Sequence, residues 1–320
     1  MGGDYFALCL ALEELARVDS SVAITLEAGV SLGAMPLYRF GSTEQKKTWL
    51  PRLCSGTALG AFGLTEPGGG SDAGGLRTTA GRDGDEWVIN GSKQFITNVG
   101  TEISEFVTIT AVTGDDPREV TNFIVPTGTP GYTIGSGYRK VGWHASDTRD
   151  LYFDDVRIPA ANQLGERGRG FANFLSILDG GRIAIAALAV GLIQGCIDEC
   201  TRYAHEREAF GQPIGSYQSI AFKIADMEVA ATLARNAYLH AAWLMENGKP
   251  FKKAASIAKL YSSEAAVSAA REACQIFGGY GFTTEYPVGR FYQDAKILEI
   301  GEGTSEVQRM LIARALGLPR

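Results

Sequence analysis

The chain of 320 residues has few of the residues that bind metals or form disulfide bonds. Its three histidines form no ligand cluster, and its five cysteines show neither CxxC nor another metal-type spacing. An odd, sparse set of cysteines is typical of a reducing compartment and gives no disulfide framework. The sequence therefore predicts no metal site.

The chain also lacks a long hydrophobic run and a concentration of charge of one sign. No apolar run long enough to span a bilayer is free of charge, and no secretory signal is recognisable. The net charge is −6 and the 30 basic residues form no block, which argues against nucleic acid or an anionic membrane surface as the main partner. We expect a soluble, cytoplasmic protein without membrane insertion.

What is present is an ordinary globular composition, with 45% hydrophobic and 21% charged residues, and length for two or three domains. From about residue 4 to 55 the pattern is helical. The expected helix starts are Asp4, Ser20 or Ser21, and Ser42, and the last of these helices is expected to end near Pro51.

The region from about 58 to 163 has the composition of β structure. Asn90-Gly91 lies between the short apolar runs 87–89 and 94–96 and predicts a two-residue hairpin turn. Further strands are expected over 105–112, 121–126, 131–134 and 149–156. Their lengths and spacing indicate a small antiparallel barrel or sandwich.

From about residue 165 the chain is again helical. Long helices are expected over about 171–207, from a Ser216 cap to about 247, and from near Pro250 to Gly278-Gly279. With a further helix after Thr304 they predict a four-helix bundle. A coiled-coil seam is the alternative for the apolar stripe.

One carboxylate, Glu302, stands between Gly301 and Gly303 at the start of the last helix. Thr304 or Ser305 could cap that helix, and Ser305 with Gln308 has the spacing of a capping box. A carboxylate on a thin turn beside backbone N–H donors suits proton abstraction next to a carbonyl. The alternative is a solvated loop glutamate before an amphipathic helix.

Three stretches resemble the acyl-CoA dehydrogenase family: 300–309 (IGEGTSEVQR), 64–72 (LTEPGGGSD) and 95–98 (FITN). Three others agree in the same order: 179–182, 207–212 and 275–279. The resemblance covers nearly the whole chain. It implies an α+β multidomain fold, with a partial N-terminal helical domain over 1–57, a middle β domain over 58–163 and a C-terminal four-helix bundle over 164–320. The first domain begins midway through the family pattern, so we expect an N-terminally shortened, short-chain or branched-chain-like member.

The resemblance implies an oxidoreductase that acts on CH–CH donors, in fatty acid β-oxidation or branched-chain amino acid catabolism. Glu302 would remove an α-proton from an acyl-CoA while the β-hydrogen leaves as hydride to FAD, giving the trans-2-enoyl-CoA. Electrons would pass to an electron-transfer flavoprotein. The alternatives are a flavin oxidase or monooxygenase of the same fold, and a catalytically silent flavin- or nucleic-acid-binding homologue.

The family's cofactor contacts transfer to fourteen positions of this sequence. By the resemblance, the residues that contact FAD are Phe62, Leu64, Thr65, Ser71, Phe95, Thr97, Arg207, Phe210, Gln218, Gln275, Gly278, Gly279, Thr304 and Glu306. Without the resemblance, the glycine-rich run is equally well a structural turn, Phe95 a core residue, Arg207 a solvated side chain and Gly278-Gly279 a helix end.

The substrate contacts transfer in the same way. By the resemblance, they are made by Ser71, Asp179, Arg182, Gly301 and Gly303. Some relatives carry their catalytic glutamate at the place of Gly181, which agrees with Glu302 as the base here. Gly301 stands where many straight-chain enzymes have tyrosine, and the space freed suggests a short or branched acyl group. Arg207 and Gln275 belong to segments that serve a neighbouring subunit in the family, which implies a homotetramer built as a dimer of dimers.

Overall fold

The computed structural model describes residues 4–318, which divide into two compact units. The helical unit contains the described parts of Met1–Ile24 and Asp179–Arg320, together with Lys140–Ala145. The sheet unit contains Thr25–Arg139 and Ser146–Leu178. The three-domain division at 57/58 and 163/164 stays a prediction.

The first part of the described chain is helical, as predicted. Its helices are α1 (Tyr5–Val18), α2 (Ser20–Glu27), α3 (Met35–Phe40) and α4 (Thr43–Cys54), with a π-helical segment Ala28–Ala34 between α2 and α3. Asp4 caps α1 by accepting from the Ala7 N–H at 2.9 Å, and Ser42 forms a capping box with Gln45. The predicted end near Pro51 is too early, because α4 incorporates this proline and ends at Cys54.

The strands form a predominantly antiparallel sheet. They are β1 (Leu59–Gly63), β2 (Thr79–Asp83), β3 (Glu86–Thr97), β4 (Ser104–Val112), β5 (Val120–Pro126), β6 (Tyr132–Ile134), β7 (Thr148–Pro159) and β8 (Gln163–Leu164). The order is β6-β7-β3-β2-β4-β5-β8, with β1 beside β4. The exceptions are at β4, which pairs in parallel with β1 and, through one residue pair, with β2.

The predicted hairpin at Asn90-Gly91 is wrong. Both residues lie inside β3, where the pairing with β7 shifts register between Ile89 and Gly91, as at a β-bulge. The Asn90 side chain is used across the strands, because its Nδ2 donates to Asp155 Oδ1 at 2.9 Å and its Oδ1 accepts from the Asp155 N–H at 2.8 Å. The hairpin lies earlier, where Gly84 and residue 85 join β2 to β3.

The rest of the described chain is mainly helical. It contains α5 (Gly170–Glu206), a short β9–β10 hairpin (Glu208–Ala209 and Gln212–Pro213), α6 (Gln218–Glu246), α7 (Lys252–Phe277), α8 (Val288–Ala295) and α9 (Ser305–Ala315). The predicted Ser216 cap is wrong: Ser216 ends a 3-10 turn, and Tyr217 precedes α6 without a side-chain cap. The predicted end of α7 is confirmed, since Gly278 follows it at φ +59°.

Small residues allow the helices of the helical unit to approach closely. Buried alanines recur along the bundle, such as Ala187 of α5, Ala231 of α6 and Ala258 of α7. The closest approach is at Gly191 of α5, where a Cβ atom would overlap the carbonyl oxygen of Glu13 in α1. Packing at this point therefore depends on the absence of a side chain.

Two helical stretches, Ser20–Phe40 and Gly170–Glu206, are long and apolar enough to cross a membrane by length and composition alone. Within their most apolar windows, 56% of the first and 83% of the second is buried inside the structure. Core helices of globular proteins pass the same test, so this finding is weak support for a membrane span.

Replacing Gly191 with alanine should lower the free energy of unfolding by about 1–3 kcal/mol. The added Cβ would lie 2.9 Å from Ala16 Cβ and displace α1 from α5. Gly180→Ala in the same helix is the matched control. Its Cβ would meet no atom nearer than 3.5 Å, so helix propensity alone should raise stability by up to about 1 kcal/mol. Denaturant unfolding measures both, and equal stabilities of the two variants would contradict this packing account.

Candidate active site

The turn that carries Glu302 has an unusual backbone. Glu302 adopts φ +51° and Gly303 adopts φ +96°, so two consecutive residues lie in the left-handed region. The backbone conformation of Gly303 favours glycine, and a Cβ atom there would lie 2.8 Å from Gln308 Nε2 and displace the end of that side chain. A non-glycine residue at positive φ costs about 1–2 kcal/mol, and neighbouring contacts must offset that cost at Glu302.

Gln308 and Thr304 hold this turn at the start of α9. Thr304 is the N-cap, and its Oγ1 accepts from the Val307 N–H at 3.3 Å. Gln308 Nε2 donates to the carbonyl oxygens of Glu302 and Gly303 at 3.3 and 2.9 Å. The predicted capping box of Ser305 and Gln308 is wrong, because Thr304 takes the N-cap position and leaves Gln308 one residue too far along the helix.

Glu306 follows in the first turn of α9 and is exposed. Its own backbone N–H and the Thr304 hydroxyl hold the pKa of this carboxyl below its usual range. Two of the residues assigned to cofactor contact, Thr304 and Glu306, therefore interact with each other at the helix start. A negative charge here is also favoured by the N-terminal end of the helix dipole.

The segment 179–182 of α5 faces the carboxylate of Glu302. A Cβ atom at Gly181 would lie 2.9 Å from Glu302 Cδ, so no side chain fits there while Glu302 keeps this position. Arg182 Nη1 donates to Asp179 Oδ1 at 2.6 Å, and Asp179 also pairs with Lys252 at 2.7 Å. Arg182 Nε is buried and has no hydrogen-bond partner among residues 4–318. A donor left over in this way suits a polar atom of a ligand.

Lys259 of α7 is a part of this site that sequence analysis missed. Its side chain is completely buried, and its Nζ donates to the Gly303 carbonyl oxygen at 2.8 Å. Burial lowers the pKa of Lys259 to about 8, and the charge of Glu302 opposes this lowering. The available signal was a lysine on a helix face shared with Ala255, Ser262 and Ala266, where an apolar residue is expected.

In the sheet unit, the two predicted flavin stretches lie side by side. The Gln94 N–H donates to the Thr65 carbonyl oxygen at 2.8 Å, which joins the 64–72 stretch to β3. Phe62 and Leu64 are buried, and the Phe62 ring stacks on Phe174 with centroids 3.9 Å apart. Only the backbone of Phe62 is therefore available for the predicted cofactor contact, whereas Ser71 is exposed.

Phe95 presents an aromatic ring to solvent. Its backbone adopts φ +60°, its side chain is 58% exposed, and its ring lies 5.2 Å from that of Tyr138. The reading of Phe95 as a core residue is wrong, because the shift in pairing between Lys93 and Ile96 turns this side chain out of the sheet. An exposed ring near the half-buried hydroxyl-bearing residues Thr65 and Thr97 fits a planar heterocycle such as the flavin ring.

A buried ion pair fixes the 64–78 segment. Lys93 Nζ donates to Glu66 Oε1 at 2.7 Å and to Thr110 Oγ1 at 3.1 Å. Glu66 also accepts from the backbone N–H groups of Arg77 and Thr78, at 2.7 and 3.1 Å. Burial opposes ionisation of Glu66, but the Lys93 charge and these donors keep its pKa below its usual range. Burial lowers the pKa of Lys93 to about 8, so both partners are ionised at neutral pH.

The helical unit contains an open cleft with a volume of about 440 Å³. Arg207, Gly278 and Gly279 line it, and a Cβ atom on either glycine would meet nothing within 4 Å. The stacked rings of Tyr203 and Phe277, with centroids 4.0 Å apart, form an aromatic wall. A cationic side chain and aromatic faces around unfilled space fit a nucleotide with its phosphates.

The other predicted residues of this region lie outside the lining of the cleft. Gln275 precedes it in α7, and Gln218 is the exposed first residue of α6. Phe210 stands at the tip of the β9–β10 hairpin with φ +53° and 97% exposure. Sequence analysis missed the tyrosines of the cleft, Tyr203 and Tyr280, although the aromatic residues after Gln275 were the available signal.

The structure thus groups the predicted residues within each unit. In the helical unit it brings Glu302 next to Gly181, in the segment of Asp179 and Arg182, and places Arg207, Gly278 and Gly279 in the cleft. Gly301 and Gly303 flank Glu302 in the chain. In the sheet unit it brings Thr65 next to the strand of Phe95 and Thr97. The exposed ring, the open cleft and the buried Arg182 donor fit the parts of a flavin nucleotide and an acyl thioester.

Models of three domains of acyl-CoA dehydrogenases match the chain. The N-terminal domain matches residues 1–57, the middle domain 61–156 and the C-terminal domain 168–317. Probable acyl-CoA dehydrogenase YngJ of Bacillus subtilis (strain 168) is 53% identical over 318 residues, which are 98% of this chain and 83% of that protein.

Solved structures give the same result. Butyryl-CoA dehydrogenase from Megasphaera elsdenii is 47% identical with a TM-score of 0.95, over 98% of this chain and 82% of its own. A chain from the structure of the electron transferring flavoprotein of Acidaminococcus fermentans is 44% identical with a TM-score of 0.96, over 99% of this chain and 83% of its own. A glutaryl-CoA dehydrogenase from Mycobacterium smegmatis in complex with FADH2 is 36% identical. Its TM-score is 0.93, and the match covers 98% of this chain and 80% of that one.

Fold and matches together define a multidomain α+β oxidoreductase. The chain belongs to the acyl-CoA dehydrogenase family. The predicted family, fold class and enzyme class are therefore confirmed. The predicted cofactor, FAD, agrees with the FADH2 held by the glutaryl-CoA dehydrogenase.

Replacing Lys93 with methionine should lower the free energy of unfolding by about 3–5 kcal/mol at pH 7, because Glu66 would be left as a buried carboxylate without its cation. The depressed pKa of Glu66 contributes stability that is present above its ordinary value of 4.5 and is lost as the pH falls through its folded-state value. The difference between the variant and the natural protein should therefore shrink in acid.

Lys47→Met in the same unit is the control. Lys47 pairs with Glu44 at 3.0 Å, but both side chains are exposed, so the loss should be below about 1 kcal/mol. Equal losses in the two variants, or a Lys93→Met loss that does not depend on pH, would contradict the assigned role of the buried pair.

Proposed function

We propose that this protein catalyses the FAD-dependent α,β-dehydrogenation of a short or branched acyl-CoA to the trans-2-enoyl-CoA. The observation that carries the proposal is the carboxylate of Glu302, held on a left-handed turn opposite the side-chain-free position Gly181. The 47% identity to butyryl-CoA dehydrogenase supports the substrate class. FAD, when bound, supplies the acceptor for the hydride from the β-carbon.

Glu302 acts as the base that removes the α-proton. An ionised carboxylate can take this proton only if it approaches the α-carbon closely. The Glu302 carboxylate occupies the space beside Gly181, where a side chain on residue 181 would displace it. The backbone N–H of Glu302, close to the N-terminus of α9, is assigned to the thioester oxygen, where it would stabilise the negative charge that develops as the proton leaves.

Arg182 and Asp179 are assigned to the CoA side of the substrate. Their ion pair is buried, and Lys252 adds a second cation to Asp179. The unused Arg182 Nε gives the pair one donor for a polar atom of the thioester arm. Ser71 of the sheet unit is assigned to the same arm by the family resemblance.

The size of the acyl group is set by the residue before the base. A Cβ atom at Gly301 would meet only the Ile297 carbonyl oxygen, at 3.5 Å, so local packing does not require glycine there. The absence of a side chain instead leaves room next to the carboxylate. This room suits a short chain or one branched near the thioester, as in fatty acid β-oxidation or branched-chain amino acid catabolism in the cytoplasm.

We also propose that the protein works as a homo-oligomer, a dimer of dimers, and passes electrons to an electron-transfer flavoprotein. The 97% exposure of Phe210, beside the cleft residue Arg207 in sequence, supports a contact made to another chain. Similarity to a chain from the electron transferring flavoprotein structure supports the acceptor. Sedimentation of the FAD-loaded protein as a monomer would contradict the oligomer.

Anaerobic titration of the FAD-loaded protein with butyryl-, isobutyryl- or isovaleryl-CoA should bleach the flavin absorbance. Glu302→Gln should slow this bleaching by about 10²–10⁴-fold, because the amide cannot accept the proton. Glu14→Gln, on the exposed face of α1, is the control and should bleach at the natural rate.

Three outcomes would contradict the proposal in different ways. Preference for a long straight-chain thioester would contradict the assigned substrate size. Rapid oxygen consumption during turnover would indicate a flavin oxidase or monooxygenase. A Glu302→Gln variant that bleaches at the natural rate would exclude Glu302 as the base.

A further inference from the structure

We propose that Lys259 is a positioning residue of the acid–base site, whose buried ammonium group holds the Gly303 carbonyl and keeps the Glu302 carboxylate in its ionised, proton-accepting form. This inference rests on the proposed role of Glu302 and adds a second charged group to the site. Nothing in the sequence motif around Glu302 indicates it, because Lys259 lies on a different helix.

The first step is the bond between Lys259 and the turn. Lys259 Nζ donates to the Gly303 carbonyl oxygen at 2.8 Å, and Gln308 Nε2 donates to the same oxygen at 2.9 Å. Two donors from two helices therefore fix the peptide that follows Glu302. This clamp is the contact that can offset the cost of the left-handed backbone at Glu302 and Gly303.

The second step is that the hydrogen bond to the Gly303 carbonyl does not explain why residue 259 carries a positive charge. Burying an ammonium group carries a penalty of several kcal/mol, whereas Gln308 makes the same hydrogen bond without a charge. Lys259 is nevertheless 0% exposed. A buried cation is retained where an anion compensates it, so the compensating anion has to be identified.

The third step is an inventory of the charged groups that influence Lys259. These are Glu302, Arg182, Glu299 and Glu264. Glu302 is the acidic group with the largest effect on Lys259, and its charge favours the protonated lysine. By the same interaction, the protonated lysine favours the ionised form of Glu302.

The chemical consequence concerns the state of the base before substrate arrives. The carboxylate oxygens of Glu302 are buried, and burial alone would favour the neutral form of Glu302, which cannot accept a proton. Lys259 works against this tendency through its positive charge, while its own hydrogen bond goes to the Gly303 carbonyl. Lys259 therefore acts through Glu302 and needs no contact with the substrate.

The test is a pH titration of the FAD-loaded full chain by NMR, with glutamate labelled at the ¹³Cδ carboxyl carbon. The Glu302 resonance is the one that disappears in Glu302→Gln. Lys259→Met removes the charge and the donor, Lys259→Gln removes the charge and keeps a donor, and Gln308→Leu removes the neutral donor to the same carbonyl.

Both Lys259 variants should raise the titration midpoint of Glu302 by about one pH unit or more, because an opposite charge has been removed. Gln308→Leu removes a donor but no charge, so it should raise the midpoint much less than either Lys259 variant, even where it lowers activity by loosening the turn. If Lys259→Met does not fold, the Glu302 midpoint in Lys259→Gln alone tests the proposal. An unchanged midpoint in the folded Lys259 variant, or an equal rise in Gln308→Leu, would overturn the proposal.

Kinetics provide a second readout of the same effect. The acid limb of the pH profile for flavin reduction should move to higher pH in both Lys259 variants and move much less in Gln308→Leu. The NMR titration needs no thioester, so it tests the coupling even if no acyl-CoA bleaches the flavin. Failure of the proposed function and failure of this inference are thereby distinguishable.

Discussion

The turn that carries Glu302 depends on one peptide carbonyl, that of Gly303. Two side chains from different helices, Lys259 and Gln308, donate to it, and together they hold a turn that would be unfavourable in isolation. The position of the Glu302 carboxylate follows from this turn. The bare backbone at Gly181 is its counterpart across the site, because a side chain there would occupy the same space.

In the sheet unit, a buried lysine also holds a segment that is predicted to contact the ligand. The loop that carries Thr65 follows β1, and the buried Glu66–Lys93 pair ties it to two backbone N–H groups and to β3. In both units a buried lysine therefore fixes a glycine-containing segment. The cost of burying each cation is offset by a carboxylate whose position it helps to define.

The sequence predicted the parts of the molecule that local patterns determine. Helix caps at Asp4 and Ser42 and strands such as β5 agree closely with the structure, because side-chain periodicity and cap chemistry act over a few residues. The hairpin turn predicted at Asn90-Gly91 does not form. Asn90 instead makes cross-strand hydrogen bonds to Asp155, 65 residues away. The turn preference of two residues is weaker than the pairing of a long strand with neighbours on both of its sides.

In the candidate site, too, local sequence patterns do not predict contacts between residues that are distant in the chain. Glu302 could be identified from its flanking glycines and the family resemblance. Lys259 could not, because its role depends on a hydrogen bond to a residue 44 positions away. Its burial contradicts the usual preference of lysine, and only the packed structure shows which groups compensate it.

We propose that the carboxylate of Glu302, which occupies the space beside position 181, abstracts the α-proton of the acyl-CoA. The most direct measurement is exchange of the α-hydrogen of butyryl-CoA with D2O in Glu302→Gly and in the double variant Gly181→Glu/Glu302→Gly. Exchange should be lost in the single variant and recovered in part in the double variant, because a carboxylate carried by residue 181 would face the same site. Exchange at the natural rate in Glu302→Gly would contradict the account.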